Sequence, residues 1–183
     1  MNKEFQVRLS GFGGQGIILA GIILGEAVSL HENRFAVQFQ SYGPEARGGA
    51  SRAEVVISDE EIDLLELIEP DVFLALSQQA FDKYIGDAHD KALVIVDTDL
   101  VPDVPPSSRQ VFSIPISKIA HEQLGKAIVI NMVALGALAA ISGLVGLDAL
   151  KKAISARVPP GTEEINLKAV QAGYESARKL IKK

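Results

Sequence analysis

Apolar and polar positions alternate along this chain in two periods, short strand-like runs and longer helix-like segments, over nearly its whole length. Residues 5–9 read as a strand and residues 17–27 as a helix of small and aliphatic side chains. A second strand follows at 34–40, and further strand patterns stand at 53–57, 71–76, 92–96 and 110–114. Helical patterns lie between several of them. One covers 78–85, with Ser77 placed to cap its first turn, and another covers 117–124. A third runs over 132–141, with Asn131 as its N-cap and a stop at Gly143, preceded by strand-like residues 128–130. The tail is helical at 147–156, breaks at Pro159-Pro160-Gly161, and resumes from Thr162 or Glu163 to residue 180. Residues 101–108 form a proline-rich connection. Strands alternating with helices predict an α/β chain: one Rossmann-like, doubly wound domain over 1–183, its sheet mostly parallel with helices on both faces.

The run 127–147 carries no charge and is long enough to cross a bilayer. It is interrupted by Asn131, Ser142, Gly136, Gly143 and Gly146, which argues against a span. A helix apolar on all sides belongs inside something larger. Its small residues Ala134, Gly136, Ala137, Ala139 and Ala140 would permit close approach by another chain, so it reads as a subunit surface.

Between the first strand and its helix stands Gly11-Phe12-Gly13-Gly14-Gln15-Gly16. A strand, a glycine turn and a helix in that order form the phosphate-binding entrance of nucleotide-type α/β domains. Gly11 can make the tight turn, Gly13 admits a ligand to the backbone, and Gly16 lets the helix pack closely on the sheet. The helix start presents free N–H groups and a positive dipole end to an anion. The usual partner of this motif is missing, however. No carboxylate ends the second strand to hold ribose hydroxyls; Glu45 comes after a turn at Gly43-Pro44, and Arg34 opens the strand at the wrong edge for a 2′-phosphate. NAD and NADP are therefore not the expected ligands. The same glycines would also serve chain packing alone.

In such sheets ligands collect at the carboxyl ends of the strands. Four segments converge there: the Gly11 turn, the segment after Gln40, Ser77 and Asn131. The segment after Gln40 reads Ser41-Tyr42-Gly43-Pro44-Glu45-Ala46-Arg47-Gly48-Gly49-Ala50-Ser51-Arg52, polar and glycine-rich with two arginines. Gly43, Gly48 and Gly49 let backbone approach a bound group, the Arg47 guanidinium can grip phosphate or carboxylate in a fork, and Tyr42 can pack on a ring or close a pocket. An ordered loop with an Arg–Glu pair is the alternative reading.

Composition removes several chemistries. With no cysteine the chain cannot ligate an iron–sulfur cluster, form a disulfide or use a thiol nucleophile. His31, His89 and His121 are scattered, and no Ser-His-Asp order, HExxH or P-loop is present, so no metal site or catalytic residue is assigned. The net charge of −5 and the scarcity of aromatic residues argue against nucleic acid. Asp59, Glu60, Glu61, Asp63, Glu66, Glu69 and Asp71 form an acidic stretch without a base, read as a solvated face and not as a dock for an acidic protein. No signal peptide or membrane segment is read, and cytoplasmic location is expected.

The two glycine-rich motifs, GFGGQGI and SYGPEARGGASRAEVVISD, resemble the signature of the gamma subunits of 2-oxoacid:ferredoxin oxidoreductases, and the similarity extends over nearly the whole chain. The wording ARGGASRAEV is closest to the 2-oxoglutarate (KorC-type) branch; the pyruvate, 2-oxoisovalerate and indolepyruvate branches have related segments. The resemblance implies a complex that oxidatively decarboxylates a 2-oxoacid, transfers the acyl group to coenzyme A and reduces ferredoxin. It implies alpha, beta and ferredoxin-like delta subunits as partners, with thiamine diphosphate, magnesium and iron–sulfur clusters on them and coenzyme A as a shared ligand. This chain alone holds no cofactor on that reading, and no GDG-and-Asn thiamine diphosphate motif is present; Gly86-Asp87-Ala88 fails it. The residues carried over are Gly11, Gly13, Gly14, Gln15, Gly16, Ser41, Tyr42, Gly43, Arg47, Gly48 and Gly49. Their implied task is to shape the active-site entrance and contribute to coenzyme A binding or acyl transfer, or else to build the subunit junction. A free-standing nucleotide- or flavin-binding oxidoreductase and a ligand-free structural adaptor are the competing readings.

Overall fold

A computed structural model of the chain describes residues 4–41, 49–63 and 69–181. Six strands form one sheet: β1 (Phe5–Phe12), β2 (Phe35–Ser41), β3 (Ala50–Ser58), β4 (Val72–Ala75), β5 (Leu93–Asp97) and β6 (Gln110–Ile114). Their order is β2-β3-β1-β4-β5-β6. β1, β4, β5 and β6 pair in parallel, as the strand–helix alternation predicts. β3 departs from that expectation and runs antiparallel to both β1 and β2. The reason is chain length: residues 42–49 are too few for the crossover of about a dozen residues that a parallel pair needs, so β2 and β3 form a hairpin. The sheet is mostly parallel, with one antiparallel strand inserted beside β1.

Helices cover both faces. α1 (Ile17–His31), α4 (Ile130–Ser142), α5 (Leu147–Arg157) and α6 (Glu163–Ile181) lie on one face, and α2 (Gln78–Tyr84) on the other. The short α3 (Ile116–Lys118) continues as a π turn over Ile119–Gln123, an irregularity within the predicted 117–124 helix. Strand alternation divides the side chains between the two layers. Val7, Leu9, Leu74 and Ile95 join the α1–α4 core, while Phe73, Ala75, Val94 and Val96 join the smaller core under α2.

The uncharged run behaves differently from its expected role. Residues 128–130 are helical, a 3₁₀ turn at Ala127–Val129 leading straight into α4. Met132, Val133, Leu135, Ala137 and Leu138 are all buried within this chain, so α4 is not a subunit surface. Its cover is α6, whose buried Asn166, Ala169, Val170, Gly173 and Ala177 form one helical stripe. Two glycines set the closeness of that contact. A Cβ on Gly136 would strike the Val170 carbonyl oxygen and stand 2.8 Å from the Tyr174 nitrogen. A Cβ on Gly173 would strike the Val133 carbonyl oxygen, 2.7 Å from its carbonyl carbon. Backbone meets backbone there, and neither wall can rotate away. Gly143 ends α4 in the left-handed conformation, φ 65°, as the sequence predicts.

Gly136→Ala and Gly173→Ala should therefore each lower the unfolding free energy by about 1–3 kcal/mol. For a chain of this size that is about 2–4 °C of Tm per kcal/mol. Gly25 in α1 has open space around its Cβ position. Gly25→Ala should be neutral or stabilising by about 0.5–1 kcal/mol through helix propensity. Thermal unfolding of the three variants checks the contrast; equal effects at all three glycines would contradict it.

Candidate functional site

β1 continues past residue 9 through Gly11 to Phe12, because β3 pairs with it as far as Ala50. The chain then turns through residues 13–16 into α1. Gly14 (φ 101°) and Gly16 (φ 73°) occupy left-handed backbone that other residues rarely adopt. The Gln15 carboxamide fills the turn from within. Its Oε1 accepts from the Phe12 N–H at 2.6 Å and its Nε2 donates to the Leu76 carbonyl at 2.9 Å. A Cβ on Gly11 would strike that same carboxamide and stand 2.9 Å from Ile17 Cδ1. Gly11 is thus glycine to make room for Gln15, which stitches the turn to the end of β4.

Asn131 serves the turn from within the first turn of its own helix, not as its N-cap. The expected N-cap role fails because α4 already begins at Ile130. Asn131 Nδ2 donates to the Gly16 carbonyl at 3.2 Å, and a Cβ on Gly16 would overlap that amide. Its Oδ1 accepts from the Met132 N–H at 3.0 Å. Ser77, by contrast, caps α2 as expected, its Oγ accepting from Ala80 N at 3.3 Å.

The predicted residues Gly11, Gly13, Gly14, Gln15 and Gly16 therefore lie together at the carboxyl edge of the sheet. Gly49 joins them, its carbonyl accepting from Gly13 N at 3.4 Å. Ser41 ends β2 at the same edge, in register with Arg52. Tyr42, Gly43, Arg47 and Gly48, together with Glu45, lie outside the described residues. α1 begins with no side-chain cap and no acid in its first turn. Its leading N–H groups can receive an anion on chemical grounds. Beside Asn131 opens a mainly apolar groove of about 530 Å³ lined by Leu19, Ile128, Met132, Val158 and Ile165. Ile128, 81% exposed, is the large apolar side chain of the uncharged run that reaches the surface.

The inserted strand also bears on dinucleotide binding. β3 separates β2 from β1, so the end of β2 stands two strand spacings, about 9–10 Å, from the glycine turn. A ribose-holding carboxylate there would be out of the usual place. Arg34 sits at the opposite edge, where it bonds Asp59 at 2.6 Å and the Leu144 carbonyl at 2.8 Å.

One cluster was not singled out in the sequence. Arg8, 2% exposed, pairs with Glu54 at 2.8 Å and with Asp87 at 2.5 Å, on the α2 face of the sheet. Tyr84 lies below, its ring centroid 5.7 Å from the Arg8 guanidinium carbon and 5.3 Å from that of Arg52. The signal that could have found it is alternation: Arg8 stands between Val7 and Leu9, and Arg52 and Glu54 flank Ala53. Among the described residues no group of three His, Asp or Glu could hold a metal ion, and no helix is long and apolar enough to cross a membrane.

Residues 6–176 match the family described as pyruvate ferredoxin/flavodoxin oxidoreductase. The chain belongs to that family. The oxidoreductase resemblance read from the two glycine motifs is borne out, and so is its 2-oxoglutarate branch. The chain is 53% identical to the 2-oxoglutarate synthase subunit KorC of Methanocaldococcus jannaschii, covering 98% of this chain and 96% of that protein. Among solved oxidoreductase structures it resembles the gamma subunit of a keto/oxoacid ferredoxin oxidoreductase from Geobacter sulfurreducens (46% identity, TM-score 0.88, 96% and 97% of the two chains). It also resembles one third of a chain of the 2-oxoglutarate:ferredoxin oxidoreductase of Magnetococcus marinus, solved with 2-oxoglutarate, coenzyme A and succinyl-CoA bound. There the identity is 25% and the TM-score 0.83, over 98% of this chain and 32% of that one.

The double role of Gln15 in this oxidoreductase turn gives a test. Gln15→Glu keeps the acceptor for Phe12 N but sets a carboxylate against the Leu76 carbonyl. It should destabilise by about 1–3 kcal/mol and more than Gln15→Ala, which leaves no opposed charge. Denaturant unfolding of both variants measures the difference; Glu tolerated as well as Gln would remove the stitch from the account.

Proposed function

We propose that the chain is the gamma subunit of a 2-oxoglutarate:ferredoxin oxidoreductase. The complex converts 2-oxoglutarate and coenzyme A to succinyl-CoA and CO2, passing two electrons to ferredoxin. The observation that carries this reading is the 53% identity, over nearly the full length of both chains, to a protein named as a 2-oxoglutarate synthase subunit. The presence of coenzyme A and succinyl-CoA in the related Magnetococcus marinus enzyme supports the ligand class.

On this reading the chain works within an assembly of alpha, beta and ferredoxin-like delta subunits. Those partners hold thiamine diphosphate with magnesium, which supplies the carbanion chemistry, and the iron–sulfur clusters, which carry the electrons. This chain has no cysteine with which to ligate a cluster. Its own contribution is at the carboxyl edge: the uncapped start of α1, the Gly11 turn and residues 41–49 bind and orient coenzyme A for acyl transfer. The site residues proposed are Gly11, Gly13, Gly14, Gln15, Gly16, Ser41, Tyr42, Gly43, Arg47, Gly48 and Gly49. Coenzyme A combines phosphates with a long, uncharged pantetheine arm, which suits an anion-receptive helix start beside a mainly apolar groove.

Arg47 is the residue to test. In the purified complex, Arg47→Ala should leave assembly intact and slow coenzyme A-dependent turnover. One charge-assisted contact is worth about 1.5–3 kcal/mol, roughly ten- to a hundredfold in affinity. Arg47→Lys should recover part, because an ammonium cannot reproduce the guanidinium fork. Single-turnover cluster reduction without coenzyme A should change little. Equal loss in both half-reactions would move Arg47 away from acyl transfer, and weakened assembly with unchanged kinetics would make the segment architectural.

A further inference from the structure

Arg52 carries chemistry that the turn and Arg47 do not explain. It stands on β3 in register with Ser10 of β1 and Ser41 of β2, one step from the Ser51–Gly11 pair. It therefore lies at the carboxyl edge, on the sheet face opposite α1, near the start of β3. Its neighbours leave it electrostatically underused. Arg8 takes the close contacts to both carboxylates of the cluster, Glu54 at 2.8 Å and Asp87 at 2.5 Å. Arg52 keeps one contact, Nε to Glu54 Oε1 at 3.5 Å, and that Nε is buried without a hydrogen-bond partner. Among the described residues the Arg52 side chain donates no hydrogen bond.

A buried donor left unsatisfied is costly, and native structures keep few of them. Here the surroundings preset the guanidinium. The Tyr84 ring lies 5.3 Å from its carbon, and Tyr84 is itself buried, with its hydroxyl donating to the Ala50 carbonyl at 3.3 Å. The side chain is 30% exposed. We propose that Arg52 is an anion-binding residue: held by Tyr84 and Glu54, it receives a phosphate or carboxylate arriving at the carboxyl edge. The cation–π contact with the ring restrains the guanidinium before the anion arrives, which reduces the ordering cost of binding. The inference rests on the reading that this edge takes a ligand of the complex. Two anions are available on that reading, the phosphates of coenzyme A and the carboxylates of the 2-oxoacid.

The test uses the assembled complex with Arg52→Gln and Arg52→Lys. Coenzyme A binding is measured by equilibrium dialysis, and the KM for 2-oxoglutarate by steady-state kinetics. Arg52→Gln should weaken one of the two anions about tenfold or more, with Lys intermediate. A change confined to coenzyme A identifies phosphate as the bound group, and a change confined to KM for 2-oxoglutarate identifies carboxylate; either supports the site. Both constants unchanged in an intact complex would overturn it, leaving Arg52 as a counter-charge to Glu54. If Arg52→Gln fails to assemble, Arg52→Lys decides alone: wild-type values for both anions overturn the proposal. A silent Arg47→Ala beside a responsive Arg52→Gln would instead remove the role proposed for Arg47 and leave this one standing.

Discussion

An uncharged helix needs cover on every side, and α4 finds nearly all of its cover within its own chain. The sheet and α1 take one flank, while α6 takes the other at backbone distance through Gly136 and Gly173. Side chains at either glycine would push α6 outward and expose Val133 and Leu138, which are now fully buried. Each such aliphatic side chain contributes about 1.5–3 kcal/mol by its burial. The closeness of two backbones thus underlies the larger of the two cores. It also fixes where Asn131 stands, and Asn131 in turn holds the Gly16 carbonyl. A packing constraint on the far side of α4 is in this way connected to the geometry of the glycine turn.

The turn itself differs in use from the dinucleotide motif it resembles in wording. Gln15 occupies its interior and bonds both to the turn and to the end of β4. β3 stands where the second strand of a dinucleotide unit would pair. What remains at the outer rim is the start of α1 and the groove beside Ile128. A ligand received by these parts would be met along an edge, as the proposed role within a larger complex requires.

Much of this was legible in the residues. The glycine turn, the cap at Ser77, the stop at Gly143 and the strand–helix order follow from local chemistry that tertiary contacts did not override. The direction of β3 was not read, since alternation is the same in parallel and antiparallel strands; the shortness of residues 42–49 was the available cue. Ile128, Val129 and Ile130 are β-branched and look like strand, yet they enter a helix because the burial of Val129 and Ile130 outweighs a propensity difference well below 1 kcal/mol per residue. The partner of α4 was equally invisible locally. Gly136 and Gly173 lie in separate helical patterns, and only the fold brings them together. Arg8 escaped notice because a charged residue inside an apolar run looks like an interruption, whereas its face holds Glu54 within reach.

β2 is tied to the sheet by β3 alone among the described strands. A strand with one neighbour is the cheapest to release, so the free energy of local opening is lower at this edge than at β1 or β4, which have neighbours on both sides. Release of β2 would leave β3 in place, because β3 is also paired to β1. A ligand that engaged the β2–β3 connection would therefore act on one of the two edge strands of the sheet, the other being β6. Such binding would slow hydrogen exchange along a strand that need not touch the ligand.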